Sequence, residues 1–151
     1  ANDNNVGNVV ISGSKAGIDA ALEYAKEKGA RAIPLNVSAP FHSPLMQPAA
    51  DAMAEALAGA AIAPFAPSLV ANVTARPVNE PTSIRKLLVE QVTGRVRWRE
   101  TVETMPGLGV TTIVELGAGK VLTTMAKRIV KDVPGLSVET PEELEAFLKT
   151  L

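Results

Sequence analysis

The sequence predicts a mixed α/β fold. Short runs rich in β-branched residues, over 8–12, 31–37, 68–72, 111–115 and 136–138, alternate with longer segments whose apolar residues recur at helical spacing. The joints between them carry capping serines and threonines, prolines and glycines. The 151 residues, 46% hydrophobic and 21% charged, have the composition of a globular chain, and the length suits about one domain with a sizeable core.

Residues 1–7 are polar and turn-like, with Asn2, Asn4, Asn5 and Gly7. A strand follows over 8–12. Ser14 is placed to cap a helix whose apolar face is Ile18, Ala21, Leu22 and Ala25 and which ends near Gly29. The run 31–37 returns as a strand and completes a strand–helix–strand unit. Such a unit cannot cover both its faces and edges by itself.

The stretch 37–46, Val-Ser-Ala-Pro-Phe-His-Ser-Pro-Leu-Met, contains His42, the single histidine of the chain. Met46, Ala49, Ala50, Met53, Leu57 and Ala60 then share a helical face. Ser43 suits the N-cap and Pro44 the first helical position, with strain at the internal Pro48, unless Gln47 caps a later start with Pro48 at the first helical position. His42 falls against the positive end of that helix, which favours a neutral imidazole available as a base. A lone histidine on a capped loop fits the same residues.

Residues 58–67 form a small-residue connection to a buried strand over 68–72. Asn72 closes it, either as a site residue beyond a strand's carboxyl end or as a turn asparagine. A turn over 77–81 precedes a helix faced by Ile84, Leu87, Leu88, Gln91 and Val92. Gln91 lies in the last turn, where main-chain carbonyls lack intrahelical partners. Trp98 opens a further helix with Val102 and Met105 on one side, stopped by Pro106-Gly107; its ring reads as packing before cofactor platform. After the strand 111–115, Gly117-Ala-Gly-Lys120 leads to a helix faced by Val121, Leu122, Met125 and Ile129. This is not a phosphate loop, because Val114 and Val121 stand where glycine and Ser or Thr are required. A strand near 136–138 and a helix over 141–148 finish the chain, with Thr140 and Glu143 as a capping box.

Several function classes are excluded. The net charge of −1, from 15 basic and 16 acidic residues, offers no electrostatic basis for binding nucleic acid or anionic membrane. Zero cysteines and one histidine exclude disulfides and thiolate sites and disfavour zinc, so no metal site is expected. No apolar run approaches the ~20 residues that span a bilayer. The opening Ala1-Asn-Asp-Asn-Asn5 has no signal-peptide pattern, and the cytoplasm is the expected location.

Four segments in order carry a family resemblance: 36–50 around His42, 71–75 (Ala-Asn-Val-Thr-Ala), Gln91 seven residues before Trp98, and 115–122 (Glu-Leu-Gly-Ala-Gly-Lys-Val-Leu). The chain resembles the C-terminal half of the malonyl-CoA:acyl-carrier-protein transacylases of fatty-acid synthesis. The resemblance implies an α/β fold made of the C-terminal part of an α/β-hydrolase-like acyltransferase domain (38–151) plus half of a ferredoxin-like subdomain (1–37). It departs from the family at Val6, Asn8 and Ala118, where relatives have proline, glutamine and proline.

What the resemblance implies chemically is acyl transfer by a serine–histidine pair. His42 is then the base, and the main-chain carbonyl of Gln91 accepts its second N–H, fixing the tautomer without an aspartate. Phe41 would exclude branched acyl units sterically, although it also suits a core plug. Asn2 and Asn4 would line the route of the pantetheine arm, and Asn72 would belong to the substrate site. No serine here lies in a Gly-x-Ser-x-Gly elbow. The nucleophile is therefore expected upstream in a missing N-terminal part, and this chain alone is expected to be inactive. The implied partners are malonyl-CoA and acyl carrier protein, with coenzyme A entering as a thioester substrate and no resident cofactor. The alternatives are a non-catalytic module binding carrier protein or coenzyme A, and an acyltransferase for another acyl unit of polyketide type.

Overall fold

The computed structural model describes residues 1–63 and 67–151. A polar hairpin begins the chain: β1 (Asn2–Asn5) pairs antiparallel with β2 (Asn8–Val10) across a turn at Gly7, whose φ of 77° suits a residue without a β-carbon. β1 corrects the turn expected over 1–7. Asparagine and aspartate are poor strand formers in isolation, and tertiary partners make this strand. Asp3 and Asn5 face inward, buried. Asp3 takes two hydrogen bonds from Arg99, at 2.8 and 3.1 Å, and its amide donates to the Val96 carbonyl at 2.8 Å.

Helix α1 (Lys15–Glu27) has the expected cap, with the Ser14 hydroxyl accepting from the Gly17 amide, and its expected apolar face is the less exposed one. The strand expected over 31–37 is absent. The segment runs with Ile33, Leu35 and Val37 about 60% exposed, and no described strand lies beside it to pair its backbone.

A 3-10 turn (Pro44–Met46) runs directly into α2 (Gln47–Ala58), which places Pro48 harmlessly in the first helical turn. Ser43 does not cap with its side chain, a correction to the expected N-cap. The connection expected over 58–67 includes 64–66, outside the described residues. The strand expected over 68–72 is the shorter β3 (Leu69–Ala71), with Leu69 exposed and Ala71 buried. It forms an antiparallel hairpin with β4 (Arg76–Val78). The expected 77–81 turn was therefore too early: Pro77 sits inside a strand, opposite Val70, tolerable because this pair has a free edge among the described residues.

Helix α3 (Pro81–Thr93) packs on α2 and on the Pro44–Met46 turn, with Ile84 buried and Leu88 exposed. α4 (Trp98–Thr104) packs on β1 and buries Val102 completely. The Trp98 indole nitrogen is buried without a hydrogen-bond partner among the described residues. β5 (Ile113–Leu116) and β6 (Gly135–Val138) pair in parallel around α5 (Val121–Ile129). Thr123 and Ala126 face inward on α5, while Val121 and Leu122 are exposed, against the expected apolar face. The amides that open α5 lack intrahelical acceptors, and the Glu115 carboxylate accepts from two of them, Leu122 and Thr123. Helix α6 (Pro141–Leu148) opens on the expected Thr140–Glu143 capping box. No helix among the described residues is long and apolar enough to cross a membrane.

Candidate active site

His42 sits where two local devices meet. The Pro40–Ser43 turn holds its backbone at φ 55°, a left-handed conformation disfavoured for a residue with a β-carbon. Such outliers concentrate at functional sites, where surrounding contacts keep them in place. The neighbouring Ser43 is 4% exposed, and its hydroxyl donates to the Pro40 carbonyl at 2.7 Å. On the ring side, His42 Nδ1 lies 2.9 Å from the Gln91 main-chain oxygen. A carbonyl only accepts, so this contact places the proton on Nδ1 and leaves Nε2 as the acceptor in the neutral ring. Among the described residues, Nε2 has no hydrogen-bond partner.

The acceptor at Gln91 is free because α3 ends there. The Gly94 amide closes on Glu90 at 2.8 Å, and the chain then leaves in an extended conformation, with Gly94 ψ at 152°. The side-chain amide of Gln91 donates to the Gly94 carbonyl at 3.0 Å and tightens the exit. Gly94 also allows a close approach: a β-carbon there would meet the Glu90 oxygen at 2.7 Å and Val73 Cγ2 at 2.8 Å.

The segment after Gln91 gathers the remaining pieces. Val96 bonds to Ala1 and Asp3, and the Arg97 amide donates to the Asn72 carbonyl at 2.9 Å. The Asn72 side-chain oxygen accepts from the Thr101 hydroxyl at 3.0 Å, so this side chain is held by the scaffold. Asn2 and Asn4 lie half-buried on the face of β1 opposite Asp3 and Asn5. No hydrogen bond joins Asn2, Asn4 or Asn72 to His42 among the described residues. Phe41 is 45% exposed, which excludes a core plug within this chain. Two contributors were not expected, Ser43 as a tether and Gly94 as a helix exit; a glycine just past a helix is a local stop signal, but the close approach of Gly94 to Val73, distant in the chain, is not.

Arg97, Arg99 and Glu115 bond to other residues and not to His42 among the described residues. The Arg99 guanidinium bonded to Asp3 holds that carboxyl below the usual carboxylate range, and Arg97 does the same for Glu100. Glu115 is lowered by the Thr123 hydroxyl and then by backbone donors at the start of α5. No group of three or more metal-ligating side chains occurs among the described residues. A depression lined by Leu116, Val138, Glu139, Thr140 and Leu144 lies at the ends of β5 and β6 and does not include His42. His42 itself is half-buried.

The chain is similar along its whole length to the malonyl CoA-acyl carrier protein transacylase of Bacillus subtilis (strain 168), at 41% identity over 152 residues, covering 48% of that protein. It is 46% identical to the Haemophilus influenzae protein of the same name, over 91% of this chain and 44% of that one. The crystal structure of an acyl-carrier-protein S-malonyltransferase from Bartonella henselae superposes with a TM-score of 0.93 at 53% identity, covering 99% of this chain and 48% of that one. A malonyl-transacylase in complex with its type II polyketide acyl-carrier protein matches with a TM-score of 0.85 at 38% identity, over 92% of this chain and 45% of that one. No family model matches. The chain spans about half the length of the curated relatives it matches.

Proposed function

Since the chain belongs to the malonyl-CoA:acyl-carrier-protein transacylase family, matching its C-terminal half, we propose that it supplies the histidine base for malonyl transfer from coenzyme A to acyl carrier protein. The fold is that of part of an α/β acyltransferase domain. The observation that carries the reading is the 2.9 Å contact between His42 Nδ1 and the Gln91 carbonyl, which orients the ring with Nε2 toward an incoming proton.

The nucleophile is a serine on a Gly-x-Ser-x-Gly elbow in a segment other than this one. Its oxygen attacks the malonyl thioester carbonyl as its proton passes to His42 Nε2. The tetrahedral intermediate collapses, the carbon–sulfur bond breaks, and the imidazolium returns the proton to the coenzyme A thiolate. The carrier protein's pantetheine thiol then enters and gives its proton to the same nitrogen. Its sulfur attacks the acyl-serine, and the serine oxygen leaves with the proton. Proton transfer of this kind contributes about 100- to 10,000-fold. Coenzyme A enters as the malonyl thioester and leaves as the free thiol, and no resident cofactor takes part.

Phe41, half-exposed beside the base, forms the pocket wall that disfavours a branch on the acyl unit. Asn2, Asn4 and Asn72 belong to the pantetheine side, and the boundary between the small and large subdomains falls near residue 37. The test is direct: the purified 151-residue chain, given malonyl-CoA and carrier protein, transfers no malonyl group and gains no malonyl adduct in its intact mass. Turnover, or an acylated serine within this chain, overturns the division of labour.

A further inference from the structure

Resting on the reading of His42 as the base, we propose that Ser43 is a positioning residue that sets the backbone of His42. Ser43 occupies the N-cap position of the Pro44–Met46 turn, with φ −136° and ψ 162° and proline next. A serine so placed ordinarily turns its oxygen onto an amide of the following turn. Here it makes no such bond, and its hydroxyl donates backward to the Pro40 carbonyl at 2.7 Å. The residue is 4% exposed, so this bond is not a surface accident open to exchange with water.

The tether joins the residue after His42 to the residue two before it, and so closes a four-residue loop around the histidine. Inside that loop His42 takes φ 55°. Two fastenings thus hold one imidazole. Ser43 fixes the backbone from which the ring projects, and Gln91 fixes the ring by its Nδ1. With the tether gone, His42 relaxes toward negative φ, and Nε2 moves off the line to the serine hydroxyl. A displacement of about 1 Å at such a group can cost about 100-fold in rate. Ser43 is no substitute nucleophile, since its hydroxyl is buried and already donated.

The experiment uses the complete transacylase carrying this segment, with Ser43→Ala, Ser43→Cys, His42→Ala and the double change His42→Ala/Ser43→Ala. Ser43→Ala is expected to lower kcat about 10- to 100-fold with KM for malonyl-CoA held within about twofold. Ser43→Cys, similar in size but a weak donor, falls between it and the unchanged enzyme and carries the test if the alanine form does not fold. In the His42→Ala background, Ser43→Ala adds no further loss, because a positioning residue has nothing left to position. A kcat within about twofold of the unchanged enzyme for both single Ser43 variants, or the same loss in both backgrounds, overturns the proposal while leaving His42 as base. Full activity in His42→Ala overturns the base reading itself.

Discussion

The His42 imidazole and the Gln91 main-chain carbonyl lie 2.9 Å apart although 49 residues separate them in the chain. The imidazole is therefore held by the end of a helix, and among the described residues no acidic side chain bonds to it. This distinction between main chain and side chain gives the first prediction.

Gln91→Ala keeps the carbonyl and loses only the side-chain bond to Gly94. Its effect on kcat of the complete enzyme is expected to stay below about fivefold. Gly94→Ala changes nothing near the ring chemically, yet its new methyl meets Glu90 and Val73 at under 3 Å and shifts the helix exit. It is expected to cost more, about tenfold or greater, since small displacements of a base are expensive. Steady-state kinetics of both variants decide. The reverse order means that the Gln91 side chain, and not its carbonyl, serves the base.

Phe41→Ser tests the proposed steric role of Phe41. The ring is 45% exposed, so its removal leaves no core cavity and little loss of stability is expected. Discrimination between malonyl- and methylmalonyl-CoA, as a ratio of kcat/KM values, should relax by about 10- to 200-fold, the range open to one methyl group. An unchanged ratio refutes the steric role.

Asp3 gives the stability prediction. Its bond to Arg99 depresses the folded-state carboxyl below the unfolded value of about 3.9. The unfolded chain therefore binds the proton first as pH falls. The stabilisation is present in full above that value and is lost as pH drops through the folded one. Glu100, Glu115 and Glu142 are depressed as well and act in the same direction. Urea midpoints of the unchanged chain and Asp3→Asn should differ at pH 7 and converge below about pH 4. A gap that stays constant to pH 3 removes the Arg99 pair as its source.

Elements written into local sequence were legible. The Thr140–Glu143 box, the Ser14 cap and the position of Gln91 in a last helical turn depend on residues within one turn of each other. What failed depends on distant partners. Asn2–Asn5 is a strand because Arg99 and Val96, more than ninety residues on, hold it. Ile33, Leu35 and Val37 alternate as a strand does, but a strand needs a neighbour, and none of the described residues provides one. Pro77 hid β4 because an edge position tolerates the missing amide. The contact between His42 and the Gln91 carbonyl was legible through the family motif, but the tether at Ser43 was not. The same residue and position that favour a cap were put to another use.

The most direct test is malonyl transfer by the complete enzyme carrying His42→Ala, measured beside the unchanged enzyme from pH 6 to 9. If His42 is the base, kcat falls about 100- to 10,000-fold across that range. A kcat within about twofold of the unchanged enzyme contradicts the assignment of His42 as the base.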